Sequence, residues 1–234
     1  MIEEVEFETY LSIEKNKFQI YLFNKYSLKD LYKNELKINN ETNSIDLDKL
    51  SEFIDNNIFK IEKLAGTFVK NIFLIIESEE FLYVDICIKK KNYDNFIDHK
   101  YLANTLTEIK DLFKENYKEK IITHMFVNNY LINEKSYSSF EEKLTGDHLC
   151  LEVRFISISD NFIFKFEKVL EKYQIKISQS LDGSYIKDFF REEDIELSEM
   201  THKLKNGYNN NEVIFVPKNI ENKGFFEKFF QLFS

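Results

Sequence analysis

The alternation of apolar and polar positions divides most of the chain into short strands and helices. Residues 9–23 contain two β-type apolar runs joined by the polar stretch 14–17, which predicts a hairpin. In 147–159, apolar residues alternate on one side, which is typical of a half-buried strand. Further strands are predicted at 35–38, 71–77, 81–88, 120–133 and 175–178.

Helices are predicted where apolar residues recur at three- and four-residue spacing. The first begins after Ser44 or Asp46 and ends at Gly66, and the second runs from Asp98 to about Tyr117. Asp160 is the predicted cap of the third, and Ser184 starts a last short helix. Strands and helices alternate along the chain, so the pattern predicts a mixed α/β fold.

The pattern changes after about Arg191. Charged residues and Asn dominate up to Glu212, which predicts a polar tether. The chain then ends in "NKGFFEKFFQLFS", where the apolar residues of a helix would fall within an arc of about 160°. This segment could close the protein's own core, dock on a partner or lie in a membrane. The residues predicted to touch lipid are Lys223, Phe225, Phe226, Lys228, Phe229, Phe230, Leu232 and Phe233.

Composition narrows the class of protein. The 234 residues are 43% hydrophobic and carry a formal net charge of −9, which favours a folded protein without a nucleic-acid partner. Cys87 and Cys150 lie in apolar runs and are interpreted as small buried hydrophobes in a reducing compartment. The first ten residues lack the pattern of a signal peptide, so we expect a cytoplasmic protein.

Motifs that would indicate catalysis are not found in the sequence. The four histidines lack metal-ligand spacing, and the acidic pairs fit solvated turns better than a catalytic dyad. The five scattered glycines form no phosphate-binding loop. We therefore expect no enzyme activity, no catalytic or metal site and no cofactor.

Several segments in order resemble the bacterial cell-division protein FtsA, an actin-like family. "LTGDHLCLEVRFISIS" followed by "KFEKVLEKYQIKISQS" is similar to the family's Gly, alternating strand, helix and short strand. In "IITHMFVNNYLIN", His124 and Tyr130 match a His and an aromatic residue of the family, and "IEKLAGTFVKNIFLIIES" is similar to its helix, turn and strand before an inserted domain. The resemblance covers roughly residues 10–190.

This resemblance implies a division of the chain into four parts. They are a partial actin-like subdomain 1A at 1–78, an inserted subdomain 1C at 79–180 with a strand-helix-strand-strand order, a short helix and polar tether at 181–216, and an amphipathic membrane-targeting tail at 217–234. The family's second actin lobe has no counterpart in the sequence.

The family's first phosphate loop is degenerate in this sequence. Its D-I-G-T/S motif is matched by Ser12, Ile13, Glu14 and Lys15. The metal-facing carboxylate is therefore replaced by Ser12, and Glu14 puts a negative charge where phosphate oxygens would lie. Like charges about 4 Å apart cost ~4 kcal/mol at an effective dielectric near 20. The sequence predicts that nucleotide binding has been lost.

The resemblance implies a non-catalytic, FtsA-like adaptor that recruits cell-division proteins, associates with itself, and is held peripherally on the inner membrane by its tail. Contact with FtsZ is doubtful because the second lobe is missing. The alternatives are an actin-like adaptor of a pilus or secretion platform, an ATP-binding protein with a cryptic site, and a purely cytosolic interaction module.

Overall fold

The structure is a computed structural model, and it describes residues 6–39, 44–93, 95–140 and 144–214. The described chain divides into two compact units. The first comprises the residues up to Phe81 together with Ile158–Leu204, and the second comprises Leu82–Ser157 and the residues from Lys205 onward.

Eleven strands and five helices are formed by the described residues. In chain order they are β1 (Phe7–Glu14), β2 (Lys17–Asn24), β3 (Lys29–Lys37), α1 (Leu47–Ala65), β4 (Asn71–Ile76), β5 (Leu82–Lys91), β6 (Phe96–Ile97), α2 (His99–Asn116), β7 (Lys120–Ile132), β8 (Lys135–Tyr137), β9 (Leu144–Thr145), β10 (His148–Ser159), α3 (Asp160–Glu171), β11 (Lys176–Asp182), α4 (Gly183–Phe189) and α5 (Leu197–Lys205).

The first unit is built on a five-stranded sheet with the order β11-β4-β1-β2-β3. The strands β1, β2 and β3 form an antiparallel meander, whereas β4 runs parallel to both β1 and β11. The central strands β1 and β4 are buried along most of their length, as expected for strands covered on both faces. On one face Phe18 of β2 meets Phe53 of α1, and on the other Tyr10 of β1 belongs to a core shared with α4 and α5.

The helix boundaries follow local capping chemistry. The side chain of Asp46 accepts a hydrogen bond from Lys49 N at 3.0 Å and begins α1, and Gly66 ends that helix with a φ of 71°. Asp98 caps α2 in the same way. The predicted cap Asp160 is instead the first residue of α3, and Ser159 precedes it.

The second unit is built on a four-stranded sheet with the order β5-β10-β7-β8 and a small β6-β9 pair. The alternating residues of β10 point into a core with α2, where Phe113 stacks on Phe155 at a centroid distance of 4.5 Å. Burial of this alternating face explains why the strand pattern in 147–159 is the clearest in the sequence.

The stretch predicted to be a polar tether contains ordered structure. Leu197, Thr201 and Leu204 of α5 are buried. Farther on, Val127 N donates to Asn211 O at 2.9 Å and Val213 N donates to Met125 O at 2.7 Å, so this segment lies antiparallel to β7 and forms an isolated β-bridge with it. The prediction failed because only a few apolar residues, widely spaced, make these contacts.

Strand pairing also places the predicted domain boundaries differently. The predicted insert 79–180 includes α3 and β11, but β11 pairs with β4 in the first unit's sheet. The chain therefore re-enters the first unit at Ile158, before the predicted end of the insert. None of the described helices combines the length and apolar character needed to span a membrane. The predicted tail at 217–234 lies outside the described residues.

Candidate functional site

The carboxyl ends of three parallel strands meet at one edge of the first unit's sheet. Glu14 is the last residue of β1, Glu77 follows β4, and Gly183 follows β11. Glu77 N donates to Ile13 O at 3.0 Å, which fixes the end of β4 beside the end of β1. In open α/β sheets, ligands bind outside the carboxyl ends of the strands. This edge is therefore the candidate site.

A lysine from α4 occupies the candidate site. Lys187 Nζ lies 2.9 Å from Glu14 Oε1 and also pairs with Glu77 Oε1. Lys17, at the start of β2, approaches the same Glu14 oxygen at 3.0 Å. The side chains of Glu14 and Glu77 are only 22% and 23% exposed. Two carboxylates and two ammonium groups thus form a compact and formally neutral cluster.

The pKa values in this cluster reflect burial opposed by the ion pairs. For Glu14, burial raises the pKa, but the bonds from Lys187 and Lys17 outweigh it and leave the pKa below its ordinary value. The pKa of Glu77 is raised, because burial and the neighbouring Glu14 charge outweigh the bond from Lys187. Burial lowers the pKa of Lys187, but its bonds to both carboxylates more than offset this and raise it.

Gly183 allows the cluster to close. A Cβ at this position would lie 2.7 Å from Glu77 Cγ and 3.1 Å from Ile75 Cγ2, closer than real Cβ atoms approach without displacement. A side chain at residue 183 would therefore push Glu77 away from Lys187. Asp182, just before it, caps α4 by accepting a hydrogen bond from Ser184 N at 2.9 Å, and this cap starts the helix that carries Lys187.

The three residues of the predicted degenerate loop occupy different environments. Glu14 is in the cluster. Ser12 lies two residues earlier on β1, where it is buried, and its Oγ has no hydrogen-bond partner among the described residues. Lys15 is exposed in the turn between β1 and β2. Sequence reasoning missed Glu77, Lys17 and Lys187. The one available signal was an acidic residue at the carboxyl end of each parallel strand, namely Glu14, Glu77 and Asp182.

The cluster has little capacity to hold phosphate. Its lysine charges are already shared by two carboxylates, and both carboxylates would repel phosphate oxygens. Among the described residues there is also no group of three or more His, Cys, Asp or Glu side chains placed to hold a metal ion.

Residues that carried the FtsA resemblance have packing roles in the second unit. His124 is almost fully buried, with its Nδ1 2.7 Å from Glu212 Oε1. Tyr130 is buried, and its hydroxyl donates to Asn211 Oδ1 at 3.4 Å. A Cβ at Gly146 would overlap Ile132 Cγ2, so glycine is required there for close packing.

The interpretation of the cysteines as buried hydrophobes is wrong. Cys87 is exposed and Cys150 is half-buried. Both strands alternate, and Cys87 falls on the side of β5 that faces away from the core. The predicted lipid-contacting residues from Lys223 to Phe233 lie outside the described residues and remain a prediction.

Comparison with known proteins yields similarity at the level of structure alone. No known protein family matches the sequence, and no curated protein matches it. A chain of the PilM-PilN type IV pilus biogenesis complex superposes with a TM-score of 0.50 at 8% identity, covering 78% of this chain and 49% of that one. The chain thus spans about half the length of that protein.

The fold class is confirmed. It is mixed α/β, as the alternation of strands and helices predicted, whereas the partial actin-like subdomain stays a prediction. Weaker similarities link the chain to the cytoplasmic domain of EpsL from the type II secretion system of Vibrio cholerae, with a TM-score of 0.38, 8% identity and coverage of 77% of this chain and 58% of that chain. A Bacteroides thetaiotaomicron protein with an actin-like ATPase fold superposes with a TM-score of 0.32 at 12% identity, covering 82% of this chain and 60% of that one. None of these similarities is specific to FtsA.

Proposed function

We propose that this protein is a non-catalytic, actin-like adaptor of a membrane-associated assembly, of the kind found in pilus or secretion platforms. It acts by binding other proteins, and its predicted tail holds it peripherally at the cytoplasmic face of the inner membrane. The similarity to a chain of the PilM-PilN complex supports a protein-binding role over a role in cell division.

The observation that carries this proposal is the ion-paired cluster of Glu14, Glu77 and Lys187 at the carboxyl edge of the sheet. A nucleotide at this edge would bring its phosphates against two carboxylates whose counter-charge is already used. Gly183 leaves the space that the Glu77 side chain occupies at this edge. In this proposal the ion-paired cluster holds α4 against the sheet. The protein then binds its partners through other parts of its surface.

Isothermal titration of the full chain with Mg·ATP tests the loss of nucleotide binding. We expect no heat of binding at millimolar nucleotide. The same titration of Lys187→Ala tests whether Lys187 merely blocks a nucleotide site. We expect no binding in this variant either, because the two carboxylates that remain repel phosphate. Micromolar affinity of the unmodified chain would contradict the proposal.

A cell-division adaptor of the FtsA type is the second candidate, and the order of the FtsA-like segments together with the tail pattern favours it. The two candidates differ in where the protein acts. A fluorescent fusion that concentrates at the division site would favour the FtsA-like role, whereas co-isolation with inner-membrane components of a pilus or secretion assembly would favour the first proposal. FtsZ is an informative bait, because the expected contact is weak or absent.

A further inference from the structure

In the part of the chain that the structure describes, β5 is an edge strand of the second unit's sheet. It pairs with β10 at ten consecutive positions without a bulge, and no strand of the described chain lies on its other side. The other sheet edges are short or irregular. The pairing of β11 and that of β3 each contain a register shift, and β8 has three residues. Long regular edges favour pairing with another strand.

The backbone direction of β5 can be derived from the residue that follows it. Asn92 N donates to Asp147 O at 2.6 Å, on the side of β10. In an antiparallel ladder, backbone groups face the same neighbour at every second residue. The odd-numbered residues 83–91 therefore direct their N–H and C=O groups away from β10. The hydrogen bond that Lys91 O accepts from the Tyr101 hydroxyl at 3.4 Å agrees with this direction, because this oxygen is not bonded to β10.

The exposed side chains of β5 are complementary to themselves. We propose that β5 pairs in an antiparallel manner with β5 of a second copy of this chain, with Cys87 at the twofold axis. Asp85 then lies opposite Lys89 of the second copy and Tyr83 lies opposite its Lys91, and each contact occurs twice. Opposite charges in directly facing positions stabilise a sheet, and the twofold arrangement is the commonest one for homo-oligomers.

Asp85 is held in position and ionised, as this contact requires. It already accepts two bonds from Arg154, with Nε–Oδ1 and Nη2–Oδ2 both at 2.7 Å. The bond from Arg154 is the largest influence on the pKa of Asp85 and lowers it, so the carboxylate is charged at neutral pH. An ionised carboxylate has acceptor sites beyond those two. The Lys89 ammonium of the second copy would use one of them.

The proposed register predicts a disulfide between two copies. Residues that face each other in a hydrogen-bonded antiparallel pair have Cα atoms about 5.5 Å apart, which lies within the range that a disulfide spans. Shifting the axis by one residue along β5 separates the two cysteines and removes them from direct opposition. Crosslinking through Cys87 therefore reports the register as well as the contact.

Cys150 has to be removed for this measurement. Cys150 lies diagonally beside Cys87, because Glu152 of β10 is the register partner of Cys87, and the two thiols of one chain can therefore compete for oxidation. Burial and the neighbouring Cys87 also raise the pKa of Cys150 to about 12. The full chain carrying Cys150→Ser is treated with diamide, which takes up the two electrons and two protons released by two thiols. We expect a dimer on non-reducing gels. With Cys87→Ser in place of Cys150→Ser we expect none.

Two further variants test the edge without relying on sulfur chemistry. Lys89→Glu places like charges opposite each other twice and should raise the dimer Kd about tenfold or more in analytical ultracentrifugation. Lys118→Glu, at an exposed position after α2, makes the same charge change and should leave the Kd unchanged. Cys87→Pro removes an N–H that faces away from β10, so the monomer should fold, as checked by circular dichroism, and fail to dimerise.

A chain that stays monomeric at all accessible concentrations would overturn the proposal, as would a dimer that tolerates both Lys89→Glu and Cys87→Pro. Slow hydrogen exchange of the odd-numbered β5 amides in a monomer would show that another segment covers this edge, and it would equally overturn the proposal.

Discussion

At the scale of single residues, the candidate site depends on one lysine that forms ion pairs with two glutamates. Lys187 pairs with both Glu14 and Glu77, and the three side chains lie partly buried at the end of the sheet. The sequence singled out Glu14, because the resembled FtsA family has a glycine in its place. It could not predict Lys187, which is 173 positions farther along the chain and joins the site only through the fold.

Replacing Lys187 by Ala should destabilise the protein. It leaves two carboxylates facing each other in a half-buried site, and we expect a loss of about 1–3 kcal/mol in the free energy of unfolding at pH 7. The loss should shrink at pH 5, because both carboxyl pKa values rise without the lysine and protonation removes the repulsion. Urea denaturation at the two pH values measures both effects.

The matched control for this variant is Lys17→Ala. Among the described residues, Lys17 forms an ion pair with Glu14 alone, and Glu14 keeps its bond to Lys187, so the loss of stability should be smaller. An equal loss for the two lysines would contradict the bridging role of Lys187.

Asp30 on β3 is a second residue whose environment is set by the fold. One of its oxygens, Oδ2, accepts a bond from Ser198 Oγ at 2.9 Å, and Oδ1 is buried without a hydrogen-bond partner among the described residues. Burial raises the pKa to about 6, the Ser198 bond opposes this, and the charge of Glu196 adds to it. Because the folded pKa exceeds the unfolded one, Asp30 lowers stability as the pH rises from about 4 to 6.

Asp30→Asn should therefore stabilise the protein at neutral pH and have little effect near pH 4. After allowance for solvent screening, we expect about 1–2 kcal/mol at pH 7. Thermal denaturation at pH 4, 5.5 and 7 provides the measurement. Asp194→Asn, an exposed position between α4 and α5, serves as the control and should show no such trend. A gain that is constant with pH would contradict the assignment.

At the scale of elements, the segment after α5 changes the picture given by the sequence. The Asn-rich residues were predicted to form a tether, but Asn211 and Val213 pair with β7, and Asn211 Nδ2 donates to Ser138 O at 2.8 Å. Glu212 also meets the buried His124. Local composition cannot reveal such pairing, because a single strand of this kind is stabilised by a partner distant in sequence.

Val213→Asp should release this segment from β7. Val213 contributes to the core of the second unit, and a buried charge there is unfavourable. We expect cleavage after Glu212 by a glutamate-specific protease to accelerate about tenfold or more, because the backbone must leave the sheet to be cut. Asn210→Asp introduces the same residue at an exposed neighbouring position and should leave the cleavage rate unchanged.

At the scale of the whole molecule, membrane attachment remains a prediction about the tail. Fully burying a Phe contributes up to ~3 kcal/mol, whereas ordering the backbone costs ~1–2 kcal/mol per residue. A single tail should therefore bind weakly and reversibly. Dimerisation through β5 would strengthen attachment, because two tails on one particle bind with higher avidity.

Liposome co-sedimentation tests this attachment. The full chain should pellet with vesicles of phosphatidylethanolamine and phosphatidylglycerol, and a chain ending at Asn222 should remain in the supernatant. The double variant Phe226→Ser and Phe230→Ser keeps the length but reduces the apolar face, and it should bind several-fold less. Equal pelleting of the full and shortened chains would exclude the tail as an anchor.

Local pattern was sufficient for the parts of the fold in which burial repeats regularly. The hairpin of β1 and β2, the caps at Asp46 and Asp98, and the strand β10 are readable because their apolar spacing and capping side chains act over a few residues. The mixed α/β class follows from the order of these elements. The departure of residues 12–15 from the family's phosphate-loop motif is likewise read from a few adjacent residues.

Tertiary structure decided which distant residues meet. The pairing of β11 with β4 brings Lys187 to Glu14 and Glu77, and the position of β5 at a sheet edge leaves Cys87 exposed. Neither follows from local sequence, because an ion pair or an open edge depends on which strands become neighbours. Neighbouring strands are selected by burial summed over the entire sheet, and that sum is not a property of any single segment.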